Sequence, residues 1–166
     1  KNNDAYDSIV EMKLDALPLI DEQISNSEND GLEEYLLAIA AEEICKINLK
    51  QDETGNYNWE TAKGFVSEWN EYLVELPDKV ESIIESDMAQ GDKEYALLKL
   101  GTPAAALIYR YISEHPSSYD NMNSIINILM DDSNDSVAMP FNTNGLNDDS
   151  YNFDSFLEYL DNKNSQ

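Results

Sequence analysis

Apolar residues recur along most of this chain at the three- and four-residue spacing of amphipathic helices, and turn-forming residues interrupt that rhythm at intervals. Ala5, Ile9, Val10 and Leu14 lie near one such stripe, with Asp4 placed to cap it and a corner at Asp15. Leu17, Ile20 and Ile24 form the next stripe within residues 16 to 25, where Pro18 fits the first turn. The polar loop Asn26 to Gly31 closes it. Residues 32 to 47 then carry two apolar faces, one with Leu32, Tyr35, Leu36, Ile39, Ala40, Ile44 and Ile47, the other with Leu37, Ala38, Ala41 and Cys45. A helix greasy on two sides is expected at the centre of the fold, packed on both.

Residues 48 to 58 break the helical pattern. Asp52-Glu53-Thr54-Gly55-Asn56 has turn composition, which predicts a short β-hairpin near 47–59 or a plain loop. From Trp59 to Leu76 the residues Ala62, Phe65, Val66, Trp69, Tyr72, Leu73 and Leu76 make the most amphipathic stretch of the chain. Pro77 is expected to end that helix and start a shorter one carrying Val80, Ile83 and Ile84. After the break at Gln90 and Gly91, Asp92 is placed to cap a helix running to Leu100. Gly101 then supplies a residue for the left-handed conformation past a helix end, Thr102 a cap, and Pro103 a first-turn proline for the stripe Ala104, Leu107, Ile108, Tyr111 and Ile112. Pro116 stops that helix, and Tyr119, Met122, Ile125, Ile126 and Leu129 mark another.

The expected organisation is an all-α, compact bundle of about seven to eight helices over residues 1–130, followed by an acidic loop or linker over 131–152. Phe153, Phe156, Leu157 and Leu160 then form a C-terminal helix within 153–166, expected to dock on the same domain.

An internal echo runs through this pattern. Lys13-Leu14-Asp15 leads to Leu19-Ile20 and Ile24-Ser25, and Lys99-Leu100-Gly101 leads to Leu107-Ile108 and Ile112-Ser113; each copy is followed by a polar loop and another apolar helix. The corner Leu100-Gly101-Thr102-Pro103-Ala104 with its following Leu-Ile resembles the inter-helix corner of HEAT-like helical repeats. It is also similar to corners in uncharacterised secreted or lipid-anchored helical proteins of Gram-positive bacteria. The resemblance spans residues 4 to 47 and 92 to 130, with Asp15 where the glycine should stand and Pro18 at the place of Ala106. It implies two HEAT-like hairpins, a surface for proteins or peptides, and no catalytic residues to carry over.

Charge sharpens the picture. The chain has 166 residues, 34 Asp and Glu against 10 Lys and Arg, and a formal net charge of -24. Nucleic acids and anionic membrane surfaces require cationic footprints and are disfavoured, whereas a basic protein, a cationic ligand or Ca²⁺ is favoured as partner. No run approaches the ~18 consecutive apolar residues of a transmembrane segment. Cys45 is the sole cysteine, which excludes an intrachain disulfide and a thiolate cluster and reads as a buried structural thiol. The start at Lys1-Asn2-Asn3, without methionine, predicts a removed leader and an extracellular or cell-surface location.

Catalytic chemistry finds little support. His115 is the single histidine, between Glu114 and Pro116, where it suits a helix C-terminus. There is no phosphate loop, HExxH or paired Glu-x-x-His. The pairs Glu33/Glu34 and Glu42/Glu43 carry no specific signal for carboxylate catalysis among so many acids. For Ca²⁺, Asn26 to Gly31 spaces oxygen residues before a glycine as an EF-hand does, but Leu37 stands where the bidentate glutamate is needed; Asp131, Asp132 and Asp135 make a looser set. Trp59, Phe65, Trp69 and Tyr72 line either the core or a ligand groove. Arg110 and Glu114 form an i,i+4 pair, and Asn134-Asp135-Ser136 fits a glycosylation sequon. The resulting expectation is a non-catalytic helical module that binds a protein or peptide, with no cofactor and no metal; the alternative is an acidic immunity- or inhibitor-type protein that neutralises a basic toxin or enzyme.

Overall fold

The computed structural model describes residues 4–131 and 152–166. These form eight α-helices: α1 (Asp4–Glu11), α2 (Ala16–Asn26), α3 (Leu32–Cys45), α4 (Ala62–Glu85), α5 (Gln90–Lys99), α6 (Pro103–Glu114), α7 (Tyr119–Met130) and α8 (Asp154–Asn164). Short 3₁₀ turns lie at Lys13–Asp15 and Pro116–Ser118. The all-α bundle expected from periodicity is therefore present. The linker expected over 131–152 lies outside the described residues except at its two ends, as does the sequon at Asn134.

The helix around which the others gather is α4, which packs against α2, α3, α5, α6 and α8. Its stripe Phe65, Trp69, Leu73, Leu76, Val80 and Ile84 is buried along the whole length. The stripe runs straight through Pro77, and this corrects the expectation that Pro77 would divide the helix. A helical proline leaves the carbonyl four residues earlier without its donor. Here that carbonyl belongs to Leu73, and Asn164 of α8 approaches it with its side-chain amide at 3.4 Å. Burial of Leu76, Val80 and Ile84 then rewards continuing the helix. At its start, Thr61 accepts a hydrogen bond from the Gly64 N–H at 3.1 Å, an ordinary cap.

Helix α3 packs against α1, α2 and α4 through Ala38, Ala40, Ala41, Ile44 and Cys45, which come from both of its apolar faces, with Tyr35, Leu37 and Ile39 partly buried against the core. Its first two turns depart from the expectation of burial on both faces: Leu32 is 74% and Leu36 38% exposed. The expected hairpin near 47–59 is also absent. Residues 46–61 contain no strand, only an isolated antiparallel bridge between Gln51 and Tyr57, joined by a turn in which Asp52 accepts from the N–H groups of Thr54 and Asn56.

Helix α8 lies across α2, α4 and α6, with Phe156 and Leu160 buried. A chain of polar contacts fixes it. Trp69 donates to the Tyr159 hydroxyl at 2.8 Å, Tyr159 donates to Asp21 at 2.7 Å, and Lys163 pairs with Asp21 at 2.6 Å while reaching Asn70 at 2.9 Å. Arg110 belongs to the same docking. Instead of pairing with Glu114 on its own helix, it forms a two-pronged contact with Asp161 of α8 at 2.8 and 3.0 Å.

Among these helices, α2 with α3 and α6 with α7 share the most extensive contacts. The corners that precede the two pairs are built differently. Gly101 has φ +85°, whereas in the first corner the left-handed residue is Lys13, at φ +54°, and Asp15 is helical at φ -67°. Thr102 does not cap α6 with its side chain; its N–H donates to the Cys45 carbonyl at 2.8 Å and its hydroxyl reaches the Leu129 carbonyl at 3.4 Å. Gly101 is thus pressed against the end of α3. A Cβ there would stand within 3.0 Å of both the Ile47 side chain and the Cys45 carbonyl. Gly101→Val should lower unfolding free energy by about 2–5 kcal/mol, the sum of left-handed strain and overpacking. Denaturant unfolding reads this directly, and a variant as stable as the parent would show that the corner tolerates a side chain.

Candidate functional site

The residues considered for chemistry are spread over the molecule and serve as structural fittings. His115 caps α6: its ring nitrogen Nδ1 lies 3.0 Å from the Tyr111 carbonyl and its ring stacks on Tyr111 at 4.2 Å. The two glutamate pairs do not converge. Glu33 is exposed, while Glu34 turns back on the start of α3, accepting from the Gly31 N–H at 3.0 Å and from the Ser27 hydroxyl at 2.6 Å. The Ser27 hydroxyl, then these backbone N–H bonds, hold the Glu34 carboxyl below the usual range. Glu43 accepts from the Tyr6 hydroxyl at 2.6 Å, and Glu42 accepts from the Trp59 indole at 3.1 Å. Burial pushes Glu42 upward, opposed by that indole and by the N–H groups of Lys50 and Leu49.

The oxygen-rich loop before α3 is used similarly. Ser27 bonds Glu34 and the Asn29 N–H, and Asp30 accepts from the Lys63 N–H at 3.3 Å. No group of three or more His, Cys, Asp or Glu is placed to hold a metal ion among the described residues, and Asp132 and Asp135 lie outside them. Cys45 is fully buried, and burial raises its thiol pKa well above the usual value. Trp59, Phe65 and Trp69 are core residues, ring against ring at 5.5 and 5.9 Å. No described helix is long and apolar enough to cross a membrane.

Three lysines share one habit. Lys63 donates to the carbonyls of Ile24 and Ser27 at 2.5 and 2.7 Å, closing the C-terminal end of α2. Lys93 does the same for Ile84 near the end of α4 at 2.7 Å, and Lys46 for Leu129 and Asp131 at the end of α7 at 3.1 and 2.5 Å. Terminal carbonyls lack helical donors, and the dipole there favours positive charge. These lysines therefore bind backbone, which leaves fewer cations to pair with carboxylates. Beside Lys46, a cleft of about 50 Å³ lies between Lys13, Glu43, Thr102 and Met130, room for a water or two and no organic ligand.

Large apolar side chains are exposed on several helices, Leu19 on α2, Val74 on α4, Tyr95 on α5 and Ile128 on α7 among them, and on α3 two lie one turn apart. Leu32 and Leu36 are exposed at helical spacing near the start of α3, followed by Ile39, which is half-buried against the core, and Glu33 and Glu43 are exposed on the same helix. Beside them on α3 stand Tyr35 and Glu42. Tyr57, 59% exposed, and Lys50 come from the segment between α3 and α4, and the Lys50 ammonium lies over the rings of Tyr35, Trp59 and Tyr57. The residue pattern puts Leu32, Tyr35 and Leu36 on a face expected to be packed and Tyr57 within a possible hairpin near 47–59, and does not single out Lys50 on the other flank of the turn. The turn signal at Asp52 to Asn56 is what could have placed those flanks side by side.

Comparison with protein-family models, with curated proteins and with solved structures finds no match.

Two measurements follow from this wiring. Lys63→Met should cost about 1.5–3 kcal/mol, the range for hydrogen bonds made by a charged group, in a denaturation series; a neutral effect would mean that the α2 carbonyls find water equally well. Asp52, whose carboxyl accepts from Thr54 and Asn56, should titrate at about 2 by side-chain carbon NMR. Its folded value lies below the ordinary 3.8, so its contribution to stability is present above that value and is lost as the pH falls through about 2. Titration at the ordinary value would show the turn open in solution.

Proposed function

We propose that this protein is a non-catalytic helical module that binds a basic protein segment, with the exposed leucines of α3 as its docking surface. The observation that carries the proposal is the pairing of two exposed apolar side chains one turn apart, Leu32 and Leu36, with the neighbouring exposed carboxylate Glu33 on a chain of net charge -24. An amphipathic helix with leucines on one side and lysines at its edges matches both features, apolar side chains giving affinity and charges giving encounter rate and register. The engagement of Glu34, Glu42 and Glu43 in caps and anchors supports a binding role over carboxylate catalysis. The lysines held on helix ends support a cationic partner, because they leave acidic groups facing solvent.

An acidic inhibitor of a basic toxin or enzyme would use the same surface, and differs in that the partner's activity would fall on binding.

A synthetic helical peptide with a leucine face and a lysine face tests the proposal. Its affinity, followed by calorimetry, should weaken about tenfold or more between low and high salt as screening shortens the field. The double variant L32E/L36E, altered only at exposed positions, should lose a further tenfold, about 1.4 kcal/mol. Equal binding by a control peptide whose leucines are replaced by serine, or no effect of the double variant, would overturn α3 as the docking face.

A further inference from the structure

Lys50 leaves α3's border face by an unusual route: its ammonium lies over three aromatic rings, 4.6 Å from the centroid of Tyr35, 4.9 Å from Trp59 and 5.8 Å from Tyr57. The Tyr35 and Trp59 rings are 5.6 Å apart and inclined at 60°, so they form two walls of a corner, and Tyr57 forms the third. The negative faces of such rings attract a cation held within about 6 Å. Glu42 adds a carboxylate behind the corner, bonded to the Trp59 indole, and Lys50 also hydrogen-bonds the Tyr35 hydroxyl.

The walls do not need the Lys50 side chain to stand. Trp59 is buried, held by Glu42 and by edge contact with Phe65 at 5.5 Å. Tyr57 is fixed through its backbone bridge to Gln51 and the Asp52 turn. The Lys50 main chain is anchored separately, its carbonyl accepting from the Asn58 N–H at 2.8 Å. The ammonium sits at the end of a flexible four-carbon stem, held by the Tyr35 hydroxyl and the rings, contacts that an incoming cation can replace, and water solvates the released ammonium well. Tyr57 is largely exposed, so the corner opens to solvent next to the α3 face.

We propose that Tyr35, Tyr57 and Trp59 form a receptor for an alkylammonium group, which Lys50 fills as an internal ligand until an incoming cation replaces it. The incoming group is an ammonium on an alkyl chain, carried by a lysine of the docked partner or by a small quaternary amine. The first source rests on the docking role proposed for α3; the second does not. Lys50, tethered at an effective concentration of order millimolar, competes with either, so the free receptor is a minor state and apparent affinity is reduced accordingly.

The test uses tetramethylammonium and N-acetyl-lysine methylamide as probes, titrated into the parent protein, Lys50→Ala, and Lys50→Ala with Tyr57→Ala. Calorimetry should show at least one probe binding Lys50→Ala about tenfold or more tighter than the parent, and the double variant should lose that gain. Preference for tetramethylammonium identifies a small quaternary amine as the source, and preference for the lysine amide identifies a partner's side chain. If a folded Lys50→Ala protein, judged by its ring-shifted methyl resonances, binds neither probe better than the parent, the proposal is wrong. Should Lys50→Ala fail to fold, the parent decides: its Lys50 ε-methylene protons, shifted upfield by the rings, should move toward free-lysine positions as tetramethylammonium is added, and fixed positions would overturn the proposal. Neither probe needs Leu32 or Leu36, so loss of this site would leave the peptide result standing, and the reverse.

Discussion

Each helix of this bundle ends in carbonyls that no helical N–H can reach, and the fold depends on finding donors for them. Three of its few lysines do this across element boundaries: Lys63 for α2, Lys93 for α4 and Lys46 for α7. In each case the donor and the helix end lie on different elements, so the contact orients one piece of chain against another as well as satisfying the backbone. The consequence is electrostatic. A chain with 10 basic and 34 acidic residues directs several of its cations at its own backbone, which leaves fewer of them to pair with carboxylates. Self-repulsion of this kind weakens a compact state and favours association with an opposite charge.

The burial that offsets this repulsion is centred on α4. Its unbroken stripe touches five other helices, and the freed carbonyl at Leu73 meets Asn164 of the last helix. The contacts among Trp69, Tyr159, Asp21 and Lys163 tie the same three elements, α2, α4 and α8. Burial, and then the bond to Asp21, push the Tyr159 hydroxyl well above its usual pKa, so it remains a donor across the physiological range. With α8 docked over α4, the body is closed on that side. On α3 the alanines face inward, while Leu32 and Leu36 are exposed.

Much of this was legible in the residue pattern, for a physical reason: helix spacing and end signals are local. The stripes at Leu17 to Ile24, Trp59 to Leu76 and Ala104 to Ile112 describe faces that are buried, and Gly101 does adopt the left-handed conformation its place suggested. What could not be read was set by partners distant in the chain. Pro77 looks like a stop until Asn164 is near. Arg110 looks like a mate for Glu114 until Asp161 approaches. Leu32 and Leu36 look like core because apolar spacing shows a face without showing whether anything covers it. The Lys50 corner is the same kind of case, since Tyr35 and Trp59 are 24 positions apart and meet only because the Asp52 turn folds the intervening segment back.

The account therefore rests on where a basic partner touches, more than on how tightly. Amide and methyl chemical shifts of the labelled protein, followed while a leucine- and lysine-faced helical peptide is added, locate that contact residue by residue. The account predicts that the largest changes fall on Leu32, Leu36, Ile39 and Tyr57, with α5 and the outer side of α4 unmoved. Changes spread evenly over acidic residues of every helix, with none concentrated on α3, would contradict it.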